Sequence, residues 1–404
     1  MNKRALAFIF LTVLIDAIGF GIIIPVMPGL IMSLSGKGIA DAAEISGMVM
    51  FLYAVTQFIC GPIMGGLSDR FGRRPVLLAS LGAFGIDYLV LALAPTLAWL
   101  VVARVLAGIT GASFTTAYAY IADISPPEKR GANFGLIGMA FGVGFILGPA
   151  LGGIAAGWGE RVPFFLASAL AFANFTYGFF VLPESLAPEN RRAFNWRRAN
   201  PVGALLRFKN SNKLVLMLGF TVLVWTIGYQ SLYATWNYFT AASFGWSPGE
   251  IGWSLAFMGL VGALVQGVLA GRLIPRFGAR NIVIAGMISG IMGYCIYAGA
   301  NAGWMLYAGI VISGLNGLVF PSLQTVMTSN VPPNEQGELQ GAVASLQSLA
   351  SIVGPPLMTT VFATYSRPAA VIYFPGAAFI LSIGFALVSL YIFTRAMARK
   401  PATS

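Results

Sequence analysis

Histidine is absent from this chain of 404 residues, and charged residues of all kinds make up only 9% of it. Without histidine there can be no Ser-His-Asp triad and no Cys-His pair, and the commonest metal ligand is missing. The two cysteines, Cys60 and Cys295, lie inside apolar runs, as small core residues do, and do not resemble a redox pair. The glycine frame of a phosphate loop is also missing. We therefore expect no enzyme activity, no bound metal and no cofactor.

Long apolar runs dominate what is present. Hydrophobic residues make up 57% of the chain, whereas about 25% of a typical soluble domain is charged. Several charge-free runs reach the roughly 20 residues that cross a bilayer once as a helix, and the short alternating strands of a membrane β-barrel are not visible. The sequence predicts an all-α integral membrane protein with twelve transmembrane helices. These are expected at 5–33, 44–67, 75–94, 97–122, 132–157, 163–182, 213–242, 249–271, 281–300, 303–328, 339–365 and 370–394.

The basic residues are distributed unevenly between the two sides of the predicted bundle. When the loops are assigned alternately to the two sides, one side carries all of the 24 Lys and Arg residues except Lys37, Arg104, Arg161 and Arg367. Because basic loops stay in the cytoplasm, both termini are predicted to be cytoplasmic. The net charge of +11 then reflects topology and contact with the membrane surface, and nucleic acid is not an expected partner.

The longest polar interval, 183–212, separates six predicted helices from six. We expect an N-terminal six-helix bundle at 1–182, a cytoplasmic linker at 183–212 with a short amphipathic helix near 202–208, and a C-terminal six-helix bundle at 213–404. Short motifs recur across the linker at a constant offset of 206 residues. The RFG triplet at 70–72 recurs at 276–278, and the GP pair at 148–149 recurs at 354–355. Parallel repeats of this kind are typical of secondary transporters that bind substrate near the bilayer midplane.

Three ionisable residues lie inside the predicted membrane core. Asp16 and Asp87 each stand about 12 helical residues, or roughly 18 Å, from the cytoplasmic edge. Arg104 is the one buried cation and could pair with either acid. Such groups are costly in a bilayer and usually face a functional cavity. The residues 206 positions later are Val222, Gly293 and Ile310. All intramembrane charge is thus predicted in the first half, so a coupling proton would use Asp16 or Asp87.

Three motifs resemble those of one transporter family. The stretch GGLSDRFGRRP at 65–75 is similar to the loop between the second and third helices of major facilitator transporters, and GRLIPRFGARN from residue 271 is a degenerate second copy. RVLAGITGA at 104–112 resembles the fourth-helix motif that carries a proton-linked arginine. The fifth helix resembles the pattern of the drug/proton antiporters. Its motif residues are Gly135, Gly144, Gly148, Pro149, Gly152 and Gly153.

Within that family the chain looks most like the tetracycline/proton exporters, over almost its whole length. The resemblance implies proton coupling by Asp16, Asp87 and Arg104. It implies a cytoplasmic gate in which Asp69 acts with Arg70, Arg73 and Asp123. On physical grounds we expect Asp69 to accept from the N-terminal end of a helix in the other half, the eleventh, beginning near Glu338, and to pair with Arg130 or Arg73. The complete predicted gate is Gly65, Asp69, Arg70, Gly72, Arg73, Asp123 and Arg130. The predicted substrate contacts are Tyr53, Gln57, Phe114, Gln230, Trp236, Asn316 and Gln347.

The sequence departs from the tetracycline exporters at two places. That group commonly carries an acid in the ninth helix and a histidine in the eighth, both linked to handling of the metal-bound drug. The corresponding positions here look like Gly290 and Gly262.

The expected function is export of an amphipathic drug, of the tetracycline type, in exchange for protons by alternating access. The protein is expected to act as a monomer in a bacterial inner membrane, with Mg²⁺ present only as part of a tetracycline-metal substrate. An antiporter for a phenicol, a dye or several drugs remains an alternative, as does a proton-symport importer. A non-transporting membrane enzyme or a lipid flippase would have to work through Asp16 and Asp87 alone.

Overall fold

The computed structural model describes residues 3–111, 113–126, 130–194, 203, 213–332 and 335–398. All regular secondary structure in this part of the chain is helical. The α-helices are α1 (Lys3–Ile23), α2 (Met27–Ser35), α3 (Ile39–Phe71), α4 (Arg73–Leu93), α5 (Leu97–Thr110), α6 (Ser113–Ile124), α7 (Arg130–Ala156), α8 (Val162–Val181), α9 (Lys213–Phe244), α10 (Pro248–Leu264), α11 (Ala270–Phe277), α12 (Ala279–Gly299), α13 (Gly303–Ile312), α14 (Val319–Thr328), α15 (Gln336–Ser366) and α16 (Ala377–Ala398).

The helical spans agree with the predicted membrane architecture. In the described residues, eleven spans are long and apolar enough to cross a membrane, and α5 is a shorter apolar helix. The all-α, multi-pass fold predicted from the sequence is therefore confirmed. The predicted amphipathic helix near 202–208 lies outside the described residues, apart from position 203.

Two of the predicted helices are interrupted where the backbone cannot continue an α-helix. The first predicted span, 5–33, is two helices, because the chain turns at Ile24–Val26. Pro25 has no N–H to donate, and Pro28 lies in the first turn of α2, where proline is tolerated. The predicted span 97–122 ends its first part at Thr110, and a second helix begins at Ser113. At the second break the backbone carbonyl of Gly111 accepts a hydrogen bond from the side chain of Gln57.

Other local features also differ from the sequence prediction, and α3 is longer at both ends than the predicted span 44–67. Between α10 and α11 the segment Val265–Leu269 is a π-helix, and between α13 and α14 the segment Ser313–Leu318 is a 3₁₀-helix. Such local changes in helix type often occur at functional positions. The last helix begins at Ala377 instead of 370, since Pro375 and Gly376 lie in the preceding non-helical stretch.

Two compact units are present, and each contains segments from both parts of the chain. Unit 1 comprises Met1–Lys37, Leu52–Asn200 and Trp246–Gly259, and unit 2 comprises Gly38–Phe51, Pro201–Gly245 and Leu260–Ser404. The first part of α3 therefore packs with unit 2, and the first part of α10 packs with unit 1. The predicted division of the sequence at residues 182 and 213 stays a prediction.

The same helix pairings build both units. In unit 1, α1 packs on α7 and α8, and α4 packs on α8. In unit 2, α9 packs on α15 and α16, and α12 packs on α16. These pairs correspond under the offset of 206 residues, and the backbones of Gly72 and Gly278 both adopt positive φ at matching turns. The packing thus supports the predicted pseudo-symmetric repeat.

An ion-pair cluster joins the start of α3 to the end of α15 within unit 2. The Nε of Arg367 lies 3.0 Å from Oδ1 of Asp41, and its NH2 lies 2.5 Å from Oε2 of Glu44. The hydrogen bond to Asp41 raises the pKa of Arg367 above its ordinary value. Because all three side chains are partly exposed, the pairs stabilise the fold by at most about 1 kcal/mol.

Candidate functional site

An ion pair between Asp87 and Arg104 is buried within unit 1. Asp87 on α4 has only 1% of its surface exposed, and Arg104 on α5 is also buried. The NH2 group of Arg104 donates a hydrogen bond to Oδ2 of Asp87. Among the described residues, neither Oδ1 of Asp87 nor Nε of Arg104 has a hydrogen-bond partner. The sequence left open which acid Arg104 would pair with, and the packing selects Asp87.

The second predicted acid, Asp16, contacts an amide instead of the arginine. Asn174 on α8 is fully buried and donates from Nδ2 to Oδ1 of Asp16 at 3.2 Å. The same amide group donates to the carbonyl of Thr12 at 3.1 Å. Asn174 was not among the predicted site residues. The signal for it was a lone amide inside the apolar run 162–183.

Tyr88 lies close to both acids. Its ring packs against Gly19, where an added Cβ would come within 3.3 Å of the tyrosine Cε2 atom. Gly19 is three residues after Asp16, so it lies on the same face of α1. Tyr88 follows Asp87 directly and interacts electrostatically with both carboxylates. The contact with Gly19 thus places the buried ring of Tyr88 between α4 and α1, the helices that carry the two acids.

Two of the predicted substrate contacts in unit 1 lie together on α3. Gln57 donates from Nε2 to the hydroxyl of Tyr53 at 3.1 Å and to the carbonyl of Gly111 at 3.4 Å. That carbonyl is available because α5 ends at Thr110. Tyr53 also interacts electrostatically with Arg104. The polar group on α3 is therefore next to the buried ion pair. The side chain of Phe114, a third predicted contact, lies outside the described part of the structure.

Three of the predicted substrate contacts, Gln230, Asn316 and Gln347, lie in unit 2 and have different neighbours. Gln230 donates from Nε2 to Oγ of Ser351 at 3.0 Å. Asn316 lies on the 3₁₀-helix beside Gly290, where an added Cβ would be 3.4 Å from the asparagine Cγ atom. Gln347 is partly exposed on α15. All three side chains are neutral and polar, and their predicted contact with substrate stays a prediction.

Trp236 lies in an aromatic core. It is 0% exposed, and its ring centroid is 5.2 Å from that of Tyr297 and 6.5 Å from that of Phe379. These edge-to-face contacts are typical of structural packing. Its predicted contact with substrate stays a prediction.

The predicted gate contains a cluster formed by Asp69, Arg73 and Asp123, here called the gate cluster. Arg73 contacts Oδ1 of Asp69 at 2.5 Å through NH1, and Oδ2 of Asp123 at 3.1 Å through Nε. The side chain of Arg73 is 11% exposed, so this guanidinium is held in one orientation. Gly72 has a φ of 107°, which only glycine adopts readily. The tight turn at Gly72 therefore allows α4 to start with Arg73 directed at both acids.

Two other predicted gate residues, Arg70 and Gly65, have different surroundings. Arg70 is exposed and stacks on the ring of its neighbour Phe71, with the guanidinium carbon 5.0 Å from the centroid. Gly65 faces open space. The side chain of Arg130 lies outside the described residues. Arg73 and Arg130 were the two basic partners expected for Asp69, and the structure shows the pair with Arg73.

The glycines of the fifth-helix motif allow α7 to pack closely. Cβ atoms added at Gly144, Gly148 and Gly152 would all collide with the backbone or side chains of α1. Because these glycines are four residues apart, they form one face of α7. A Cβ at Gly153 would collide with residues at the start of α10, whereas Gly135 faces open space. Pro149 packs against Gly252 in the same unit.

The sequence profile of the Major Facilitator Superfamily matches residues 9–238 and 218–404. The chain belongs to the Major Facilitator Superfamily. Within the superfamily, it is 40% identical over 362 residues to the tetracycline resistance protein, class C, of Escherichia coli, covering 90% of each chain. It is 35% identical over 402 residues to the tetracycline resistance protein, class D, of Salmonella ordonez, covering 100% of this chain and 98% of that protein.

A solved structure shares the same fold. The human organic anion transporter MFSD10 (TETRAN) is 25% identical, with a TM-score of 0.71, and the alignment covers 97% of this chain and 99% of that chain. The superfamily membership and the likeness to the tetracycline resistance proteins confirm the resemblance found in the sequence motifs. No group of His, Cys, Asp or Glu side chains in the described residues could hold a metal ion.

Proposed function

We propose that the chain exports a tetracycline-type drug from a bacterial cell in exchange for protons. The observation that carries this proposal is the buried Asp87–Arg104 pair in a chain so similar to tetracycline resistance proteins. A membrane-embedded acid beside a cation suits proton coupling, because its charge state decides whether the pair forms. We place the protein in the inner membrane as a monomer with both termini in the cytoplasm.

In the proposed cycle the ion pair reports whether a proton is bound. When Asp87 has lost its proton, the carboxylate pairs with Arg104, as in this structure. When Asp87 takes up a proton, its attraction for Arg104 falls and the pair can open. The protein binds drug from the cytoplasm when Asp87 has lost its proton. It returns without drug to the inward-open conformation when Asp87 carries a proton. Asn174 donates a hydrogen bond to Asp16, which can act as a second proton acceptor.

The decisive experiment is drug uptake into inside-out vesicles with and without Mg²⁺ and a proton gradient. We expect tetracycline to accumulate only when the lumen is acidic, and Asp87→Asn to abolish accumulation at an unchanged protein level. A tetracycline-metal complex as substrate predicts that removal of Mg²⁺ lowers uptake. Uptake that is independent of the gradient would refute proton coupling.

A second candidate is a drug/proton antiporter with a different amphipathic substrate. Gly290 and Gly262 favour this alternative, because they stand where the tetracycline exporters commonly have an acid and a histidine. In this structure Gly290 faces Trp225 and Asn316, while Gly262 faces open space. Resistance profiles with tetracyclines, phenicols and cationic dyes distinguish the two. Protection against a dye or a phenicol without protection against tetracycline supports the alternative.

A further inference from the structure

The carboxylate of Glu184, just beyond the end of α8, binds the start of α4. Its Oε1 accepts from the backbone N–H of Arg73 at 2.8 Å, and its Oε2 accepts from that of Arg74 at 3.2 Å. The first N–H groups of a helix have no partner within the helix and favour a negative charge. Oε1 also accepts from the N–H groups of Ser185 and Leu186, both at 3.0 Å. One side chain therefore caps α4 from more than 100 positions away in the sequence.

The carboxylate of Glu184 lies directly against the turn at Gly72. A Cβ added at Gly72 would collide with the carboxyl group of Glu184. At the matching turn of the second repeat, Gly278 has a φ of 79°, and a Cβ there would meet nothing within 4 Å. The two turns share a backbone conformation but differ in their surroundings. Among the described residues, only the turn next to the gate cluster is closed by an acid.

The residue after Glu184 contacts the gate cluster directly. Ser185 donates from Oγ to Oδ2 of Asp123 at 3.1 Å. That oxygen is the one that also accepts from Nε of Arg73 at 3.1 Å. Two contacts therefore hold Arg73 in place. Glu184 binds its backbone N–H, and Asp123, which also accepts from Ser185, binds its side chain.

The rest of the segment 183–194 continues across the same surface of unit 1. The carbonyl of Pro183 accepts from the hydroxyl of Tyr120 at 3.0 Å. The N–H of Arg192 donates to the carbonyl of Asp69 at 3.1 Å, and the ring of Phe194 lies against Gly66. A polar cavity of about 570 Å³ is lined by both the segment and the gate cluster.

We propose that Glu184 is a positioning residue of the gate, and that the segment 183–194 is part of the gate. Glu184 fixes the first turn of α4 and so directs Arg73 toward Asp69 and Asp123. Opening of the gate during transport then requires this segment to release its bonds or to move with α4. The inference rests on the proposed transport function, but its structural part can be measured without any substrate.

Glu184→Gln is the sharpest variant. It preserves size and one acceptor oxygen, yet it can direct an amide NH₂ at the N–H of Arg74, where two donors would face each other. Glu160→Gln is a matched control, since Glu160 is an exposed acid of unit 1 outside the segment 183–194. Glu184→Asp retains the charge with a shorter reach and should rescue part of the effect, which keeps the test valid if Glu184→Gln fails to accumulate.

The first measurement is limited trypsin cleavage of the purified full-length chain, with products identified by mass spectrometry. Cleavage after Arg191 or Arg192 requires the segment to leave its hydrogen-bonded position. We expect Glu184→Gln to speed this cleavage about fivefold or more, Glu184→Asp to do so less, and Glu160→Gln to match the unsubstituted protein. Equal cleavage rates for all proteins would overturn the inference even if the chain transports no drug.

The second measurement is gradient-driven tetracycline uptake in inside-out vesicles, at equal protein levels. We expect Glu184→Gln to lower kcat about fivefold with KM changed less than twofold, since it alters the gate and leaves drug contacts intact. In an Arg73→Lys background the same substitution should cause no further loss, because both act through one guanidinium. Additive losses would overturn the inference, whereas absence of uptake by the unsubstituted protein would instead count against the proposed function.

Discussion

Asn174 on α8 donates a hydrogen bond to Asp16 on α1 at 3.2 Å, and Asn174 is fully buried. The same amide satisfies the carbonyl of Thr12 one turn earlier on α1. A single side chain thus serves both the backbone of the first helix and one of its two candidate proton acceptors.

Replacement of Asn174 by alanine should lower both stability and coupling. The carbonyl of Thr12 and Oδ1 of Asp16 would each lose the hydrogen bond from Asn174, and losing hydrogen bonds to buried groups costs about 1–3 kcal/mol. We expect a lower Tm in detergent and weaker drug-driven proton movement in vesicles. Thr176→Ala on the same helix is the control, because Thr176 is exposed and bonds only the carbonyl of Phe172. Equal effects of the two substitutions would contradict a special role for Asn174.

Substitutions at Asp87 and Arg104 should separate stability from coupling. Asp87→Asn retains an acceptor oxygen for Arg104, so folding should survive while drug-driven proton movement is lost. Asp87→Leu leaves a buried cation without a counter-charge and should cost about 3–5 kcal/mol. Adding Arg104→Gln to Asp87→Leu should restore thermal stability without restoring transport. Coupling that is unchanged in Asp87→Asn would refute the assignment of Asp87.

Asp69→Asn should slow transport while membrane insertion stays normal. Arg73 would lose one ionic partner but would retain Asp123, so we expect a partial loss of kcat, about three- to tenfold. Asp123→Asn should be more severe, because that carboxylate binds both Arg73 and Ser185. Arg276→Gln in the second repeat is the control. Quantitative immunoblots measure the amount of each variant in the membrane. Uptake rates divided by that amount separate slower transport from reduced insertion.

Gly148→Ala should disturb the packing of α7 on α1. The new Cβ would lie 2.7 Å from both the Cα of Gly21 and the carbonyl oxygen of Ile18, so the helices must move apart. Overpacking of this kind costs about 1–3 kcal/mol. Gly135→Ala is the matched control on the same helix, since Gly135 faces open space and alanine favours the helix. Equal melting temperatures for the two variants would argue against close packing as the role of the motif.

Much of the fold could be predicted because its signals are local. The apolar runs and the loop charges are properties of neighbouring positions, and the recurrence of RFG at an offset of 206 residues is visible by comparing the chain with itself. The helix breaks at Pro25 and Gly111 were missed, although each contains a residue that weakens a helix. Hydropathy averages over a window of about 20 residues, so it does not register a single turn that ends a helix inside a span.

The sequence alone was enough to select Asp16, Asp87, Arg104 and the charged loop at 65–75 as candidate functional groups, because ionisable residues are rare and costly in a membrane. Only the tertiary structure decided that Arg104 pairs with Asp87, that Asn174 binds Asp16, and that Glu184 caps α4. Each of these pairs joins residues on different helices, or on a helix and a distant loop. Such contacts depend on how helices are rotated about their axes and where they cross, which side-chain packing determines.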